Sequence, residues 1–333
     1  MARKLPMHKA ISEAIAQEME RDPEVFIMGE DIGTYGGIFS ATTGLLQQFG
    51  VERVRDTPIS ESAFIGGALG AASKGMRPIV ELMFVDFFGV AMDQIYNHIA
   101  KAHYMSGGNL RMPVVILTAI GGGYSDAAQH SQCLYGLFAH VPGLKIVIPS
   151  NAYDAKGLMI SSIRDDNPVM YFFHKGLMGI GWMPSPPEAA NEVPEEPYEI
   201  PLGKANILRE GQDATVVTVS RSIYEALWAA EELNQEGVSI EVIDLRTLVP
   251  LDRDTVINSV KKTGRLLIVD EDYRSYGMSG EIISTVTESG VSLKFPPQRI
   301  AYPDIPVPYS RVLESFALPD KAKIKDRIKE MMR

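Results

Sequence analysis

Short apolar runs rich in Val and Ile alternate with helix-length segments along nearly the whole chain, and the alternation breaks once, at PSPPEAANEVPEEPYEIP. The N-terminal runs are VFIMGED (25–31), 51–56, RPIVELMF (77–84), MPVVILTAI (112–120), LKIVIPS (144–150) and PVMYFF (168–173). After the break come ATVVTVS (214–220), SIEVIDL (239–245), RLLIVDE (265–271) and RIAY (299–302). Near-continuous apolar strands separated by amphipathic helices predict mainly parallel sheets covered on both faces. Helices are predicted at 7–22, where Ile11, Ile15 and Met19 recur four apart, and at 61–73, 88–104, 152–164, 252–262, 277–288 and 319–332. The interrupting stretch holds six prolines and five glutamates without apolar periodicity, which reads as a stiff, extended linker. The expected organisation is an α/β domain over 1–183, a linker over 184–201 and a second α/β domain over 202–333.

A chain of 333 residues has room for two cores. Its formal charge of −10 argues against a nucleic-acid or anionic-membrane surface. No stretch approaches the roughly 20 apolar residues of a membrane span. The N-terminal MARKLPMHKAISEAI lacks the apolar segment of a secretory signal. The single cysteine, Cys133, excludes an internal disulfide and suits a reducing compartment, so a cytoplasmic location is expected. Neither a GxxxxGK[ST] phosphate loop nor a GxGxxG after the first strand is present, and GxSxG and zinc-ligand spacings are missing too.

Three places carry candidate chemistry. In RDTPISESAFIGGALGAASKG (55–75), Pro58 closes a turn, Ser60 stands at an N-cap position and Glu61 opens a helix made mostly of Gly, Ala and Ser. Each helical glycine costs about 1 kcal/mol against alanine, which predicts close approach of another backbone. Glu61 then reads either as an acid favoured by the helix dipole or as a buried proton-exchanging group. The loop GGGYSDAAQHSQC (121–133) follows a buried strand and ends on His130 among amide and hydroxyl side chains, which suits acid–base work or a merely hydrogen-bonded loop histidine. In VELMFVDFFGV, Glu81 near a strand end with Met83, Phe84, Phe87 and Phe88 could line a crevice or belong to the core.

GEDIGTYGGIF, DTPISESAF, ELMFVDFFG, AAQHSQC, PGLKIVIPSNAYDAKGLMISSIRDDNPV and PLDRDTVINSVKKTGRLLIVDE occur in the order found in one group of enzymes. Over essentially its whole length the chain resembles β subunits of the thiamine diphosphate-dependent first component of 2-oxo acid dehydrogenase complexes, which include pyruvate, branched-chain and acetoin dehydrogenases. The resemblance implies a pyrimidine-binding domain followed by a transketolase-type C-terminal domain. It also implies an α subunit that carries the GDG diphosphate motif, absent here, and most ligands of Mg2+. The family assembles as an α2β2 heterotetramer and passes acyl groups to a lipoyl-bearing dihydrolipoyl acyltransferase.

By that resemblance Glu61 matches the acid bonded to N1′ of the cofactor's aminopyrimidine. Phe87 matches the ring stacked on it, Ile59 and Met83 match its neighbours, and Glu30 matches an acid in an interfacial network. His130 matches the loop histidine that assists acyl transfer to lipoamide. Val114, Ser162, Ile163, Asp165 and Asn167 match a K+ site built largely of backbone carbonyls. QHSQCLYGLF and DTPISESAFIG look most like acetoin dehydrogenases, with pyruvate and branched-chain 2-oxo acids next. Two other classes are a non-catalytic assembly or docking subunit and a nucleotide-binding oxidoreductase, the latter disfavoured by the missing phosphate fingerprints.

Overall fold

The computed structural model describes residues 3–333. The chain divides into two compact units: one takes the chain up to Ile120 together with Phe138–Leu202, the other takes Gly121–Leu137 together with Gly203–Arg333. The loop expected in the first domain, 121–133, is thus grouped with the second unit.

The first unit contains β1 (Lys4–Leu5), α1 (Met7–Arg21), β2 (Val25–Gly29), α2 (Leu45–Phe49), β3 (Val54–Asp56), α3 (Glu61–Ala72), β4 (Arg77–Phe84), α4 (Ala102–Met105) and β5 (Val115–Ile120). After α5 (Tyr135–Ala139), which straddles the division, come β6 (Lys145–Val147), α6 (Ala152–Arg164), β7 (Val169–His174) and β8 (Asn191–Glu192). Its strands run in the order β6-β7-β5-β4-β2-β3, all parallel. Every residue of β2, β5 and β7 is buried, which explains their uninterrupted apolar sequence. Asn151 caps α6 by accepting the Asp154 N–H at 3.0 Å.

Two expectations change here. Residues 88–104 do not form one long helix: a 3-10 turn, Val85–Ala91, passes into a π-helical stretch, Gln94–Ile99, and then α4. Ala91, Ile95 and Ile99 are all fully buried on the side facing the core. The acidic stretch 184–201 is no free tether. Val193 and Ile200 are buried, β8 pairs antiparallel with β1, and Lys156 on α6 donates to the carbonyls of Pro194 (2.7 Å) and Glu195 (2.9 Å). Arg164 reaches Glu199 at 2.6 Å, and Tyr198 stacks on Tyr153 with ring centroids 4.7 Å apart. Cations on α6 therefore hold the acidic segment against this unit.

The second unit contains β9 (Asn206–Arg209), β10 (Ala214–Thr218), α7 (Ser222–Gln235), β11 (Ile240–Asp244), β12 (Thr247–Val249), α8 (Arg253–Thr263), β13 (Leu266–Tyr273), α9 (Met278–Glu288), β14 (Gln298–Tyr302), α10 (Arg311–Ala317) and α11 (Lys321–Met332). Its sheet runs β14-β13-β10-β11-β9, parallel except for the edge strand β9. Asp252 caps α8 and Gly264 ends it in the left-handed region, φ 75°. Ile324, Ile328 and Met331 of α11 close the core against Ala226, Ala230 and Leu233 of α7. Among the described residues no helix is long and apolar enough to cross a membrane.

Candidate active site

The strand order β4-β2-β3 places three carboxyl ends side by side, where parallel sheets receive ligands. Glu30 follows β2, Ile59 and Glu61 follow β3, and Met83 and Phe87 sit at and just beyond the end of β4. Five residues far apart in sequence are thereby collected at one edge. Ile59 is 85% exposed, while Glu61, Met83 and Phe87 are half-buried. Phe87 meets Phe84 edge-on at 5.5 Å, and Phe84 meets Phe39 at 5.4 Å, which fixes the aromatic ledge. Burial, then the neighbouring Glu61 and Asp31 carboxyls, hold Glu30 above the usual carboxylate range. Its Oε1 is buried with no hydrogen-bond partner. The Glu61 carboxyl thus helps to keep Glu30 protonated, and Glu30 Oε1 is left unsatisfied among the described residues.

The helix behind Glu61 departs from expectation in an informative way. Ser60 occupies the N-cap position of α3, yet its side chain makes no capping bond. A Cβ on Gly66 or Gly67 would meet nothing nearer than 3.5 Å, and one on Gly70 would meet nothing within 4 Å. Among the described residues no backbone outside the helix presses on those glycines. Their cost in helix propensity is unexplained by internal packing.

Of the two readings open for Glu81, a crevice wall or the core, the structure takes the core. It lies in the middle of β4, paired with Gly29 and Leu117, and is 2% exposed. Burial alone pushes its carboxyl up to about 8, and Oε2 has no hydrogen-bond partner. A Cβ on Gly37 would stand 3.2 Å and 3.4 Å from its two oxygens. Gly37 also adopts φ 78°, so a side chain there is barred twice.

At the opposite end of the sheet, Val114, Ser162, Ile163, Asp165 and Asn167 gather around the amino ends of β5 and β7. Arg77 donates to the carbonyls of Ile163 (2.9 Å) and Asp165 (2.7 Å), and Val114 O accepts from Val169 N–H at 2.9 Å. Ser162 Oγ turns back onto Leu158 O, and Asn167 binds the Asp165 carboxylate, which also pairs with Lys145. A carbonyl has a second lone pair, so these oxygens keep acceptor capacity beside Arg77. Among the described residues no group of three or more His, Cys, Asp or Glu could hold a metal ion.

His130 belongs to the second unit, in the loop within Gly121–Leu137. The loop is anchored at its end: Tyr135 O–H donates to Asp270, and Gly136 N–H donates to Asp272 at 2.9 Å. Burial raises both carboxyls above the usual range, with the Glu271 charge adding to it at Asp270 and the Asp270 charge at Asp272. Tyr273 O–H donates to Gln132 at 3.1 Å. Ser125 and Ala127 both stand at φ 60°, each costing on the order of 1 kcal/mol for a non-glycine residue. Sequence reasoning missed Glu314, which is fully buried on α10 and accepts from Gly123 N–H (2.8 Å) and Ser125 N–H (2.9 Å). Nothing in its local sequence points 191 residues back to that loop.

Residues 3–180 match the family described as transketolase, pyrimidine binding domain, and residues 203–324 match transketolase, C-terminal domain. A solved structure titled split gene transketolase, inactive beta4 tetramer, superposes with a TM-score of 0.77 over 99% of both chains at 20% identity, which shows the shared fold. Similarity at the sequence level is narrower. The acetoin:2,6-dichlorophenolindophenol oxidoreductase subunit beta of Cupriavidus necator is 46% identical, covering 100% of this chain and 99% of its own. The 2-oxoisovalerate dehydrogenase subunit beta of Bacillus subtilis is 43% identical over 97% of each chain, and that organism's pyruvate dehydrogenase E1 component subunit beta is 41% identical over 98% of each. The chain belongs to the family of E1 β subunits of acetoin, branched-chain and pyruvate dehydrogenase complexes.

Proposed function

We propose that this chain supplies the pyrimidine-binding half of a thiamine diphosphate site, completed by an α subunit in an α2β2 heterotetramer. The observation that carries this reading is the Glu30–Glu61 pair, with one orphaned buried oxygen, beside the half-buried ring of Phe87. A flat aminopyrimidine fits that chemistry: a ring face for Phe87 and protonatable nitrogens for the acids. Bound there, the cofactor supplies an electron sink for cleaving a bond next to a carbonyl. Glu61 would hold a proton at N1′, Phe87 would stack on the ring and Ile59 and Met83 would flank it, while Glu30 retains its proton to higher pH than an ordinary carboxyl. Mg2+ and its diphosphate would be held mainly by the α subunit.

An α subunit covering α3 is supported by its glycines, which face no backbone of this chain, and by exposed Ile59 and Val90 (85% and 61%). His130 would hand a proton to the sulfur released as a lipoyl disulfide of a dihydrolipoyl acyltransferase opens. The carbonyl cluster at 162–167 with Val114 would hold K+. Acetoin is the favoured substrate, because the 46% relative acts on it by name, with pyruvate and branched-chain 2-oxo acids next. A cytoplasmic location follows from the same reading.

The test is reduction of 2,6-dichlorophenolindophenol by the chain co-purified with its α subunit, with thiamine diphosphate and Mg2+. Acetoin, pyruvate and branched-chain 2-oxo acids are compared side by side. Cofactor-dependent reduction with one of them is expected. Absence of cofactor binding even with the partner present would return Glu61 to a dipole-favoured helix acid.

A further inference from the structure

We infer that Glu314 is the positioning residue of the loop that carries His130, an inference that rests on the proposed role of that histidine. The carboxylate is fully buried, and its two oxygens are divided between two loop amides, Gly123 N–H at 2.8 Å and Ser125 N–H at 2.9 Å. This is a fork on the backbone itself, independent of loop side chains, and it grips Gly123 and then Ser125, the first of the left-handed pair Ser125 and Ala127. Ala127 O in turn accepts from His130 N–H at 3.4 Å, so the geometry set at Ser125 is carried along to the histidine. The approach is too close for bulk: a Cβ on Gly122 would stand 3.3 Å from Glu314 Oε1 and 3.3 Å from Leu318 Cδ2. At its far end the loop is fixed by Asp272 through Gly136 N–H. Glu314 is thus the fixed point at the near end, where a left-handed backbone would otherwise relax.

Glu314 itself is anchored by its own helix. Its N–H donates to Ser310 O at 2.8 Å, and its carbonyl accepts from Leu318 N–H at 3.0 Å. It touches no reacting atom. It acts through His130 by fixing backbone geometry, as catalytic groups generally require of the shell that supports them.

The experiment uses the co-purified α–β complex and reads two half-reactions with the preferred substrate: dye reduction, and reductive acylation of free lipoamide. Glu314→Gln keeps the size but presents a donor to one of the two amides, so acylation is expected to fall at least tenfold while dye reduction falls less than twofold. Glu314→Asp, retaining both acceptors, restores part of the loss. The double variant Glu314→Gln, His130→Ala acylates no worse than His130→Ala alone, because both changes remove the same contribution. If Glu314→Gln compromises folding, Gly122→Ala leaves the carboxylate in place and gives a smaller loss in the same half-reaction. Equal losses in both half-reactions, or additive losses in the double variant, overturn the positioning role while His130→Ala still shows its own selective defect. A His130→Ala complex that acylates lipoamide like wild type overturns the reading of His130, and the role of Glu314 falls with it.

Discussion

Replacing Glu81 by Gln should remove one pH-dependent loss of stability, so that the less stable protein at acid pH becomes the more stable at alkaline pH. The carboxyl is 2% exposed, and burial pushes it from an ordinary 4.5 up to about 8. The folded chain therefore binds that proton more tightly than the unfolded chain does. Its contribution is fully present below pH 4.5 and is lost as pH rises to about 8. Each pH unit in that window removes about 1.4 kcal/mol, so the whole window removes about 5 kcal/mol. Glutamine keeps the volume and abolishes the titration, but it buries an unsatisfied donor that costs about 1–3 kcal/mol. Those magnitudes balance at about pH 5–7. Below that range wild type is the more stable; at pH 8 and above Glu81→Gln is, by about 2–4 kcal/mol. Thermal melts of both proteins across pH 5–9 should cross, with a separation of several degrees at the alkaline end. Parallel melting curves at all pH values refute the buried, neutral acid.

Glu61→Ala should lower substrate oxidation by about 10²–10⁴-fold, the usual worth of a positioned acid–base group. Sedimentation should show the α–β assembly intact, and near-normal turnover would sink the assignment. Gly70→Leu meets open space within this chain, so its own fold should tolerate the change. Association with the α subunit should weaken at least tenfold, about 1.4 kcal/mol, and undiminished co-purification would argue that α3 is not covered. If the carbonyls near Asp165 hold K+, potassium at a hundredfold its Kd stabilises by about 2.7 kcal/mol. Identical melting in potassium and sodium chloride at matched ionic strength would remove that site.

The alternation of apolar runs and amphipathic segments was enough to call for parallel sheets in two domains, because strands buried on both faces leave an uninterrupted apolar signature. Local periodicity also marked the segments 252–262 and 319–332, where α8 and α11 form. The stretch 184–201 shows the limit of such reading. Its composition is that of a linker, yet Lys156 and Arg164, distant in sequence, bind it down. Segment 88–104 shows the same limit, since its local pattern reads as one helix while the winding passes from 3-10 to π to α along it.

The sequence by itself named Glu61 and His130 as places where chemistry could reside, since an acid at a glycine-rich helix and a histidine in a glycine loop are local patterns. Tertiary structure decided what surrounds them. Strand order brought Glu30, Ile59, Glu61, Met83 and Phe87 to one edge, and parallel register buried Glu81 within the sheet. Only the folded chain carries Glu314 to the amides of Gly123 and Ser125. Periodicity reports which face of an element is buried; it carries no record of which distant residue will lie against it.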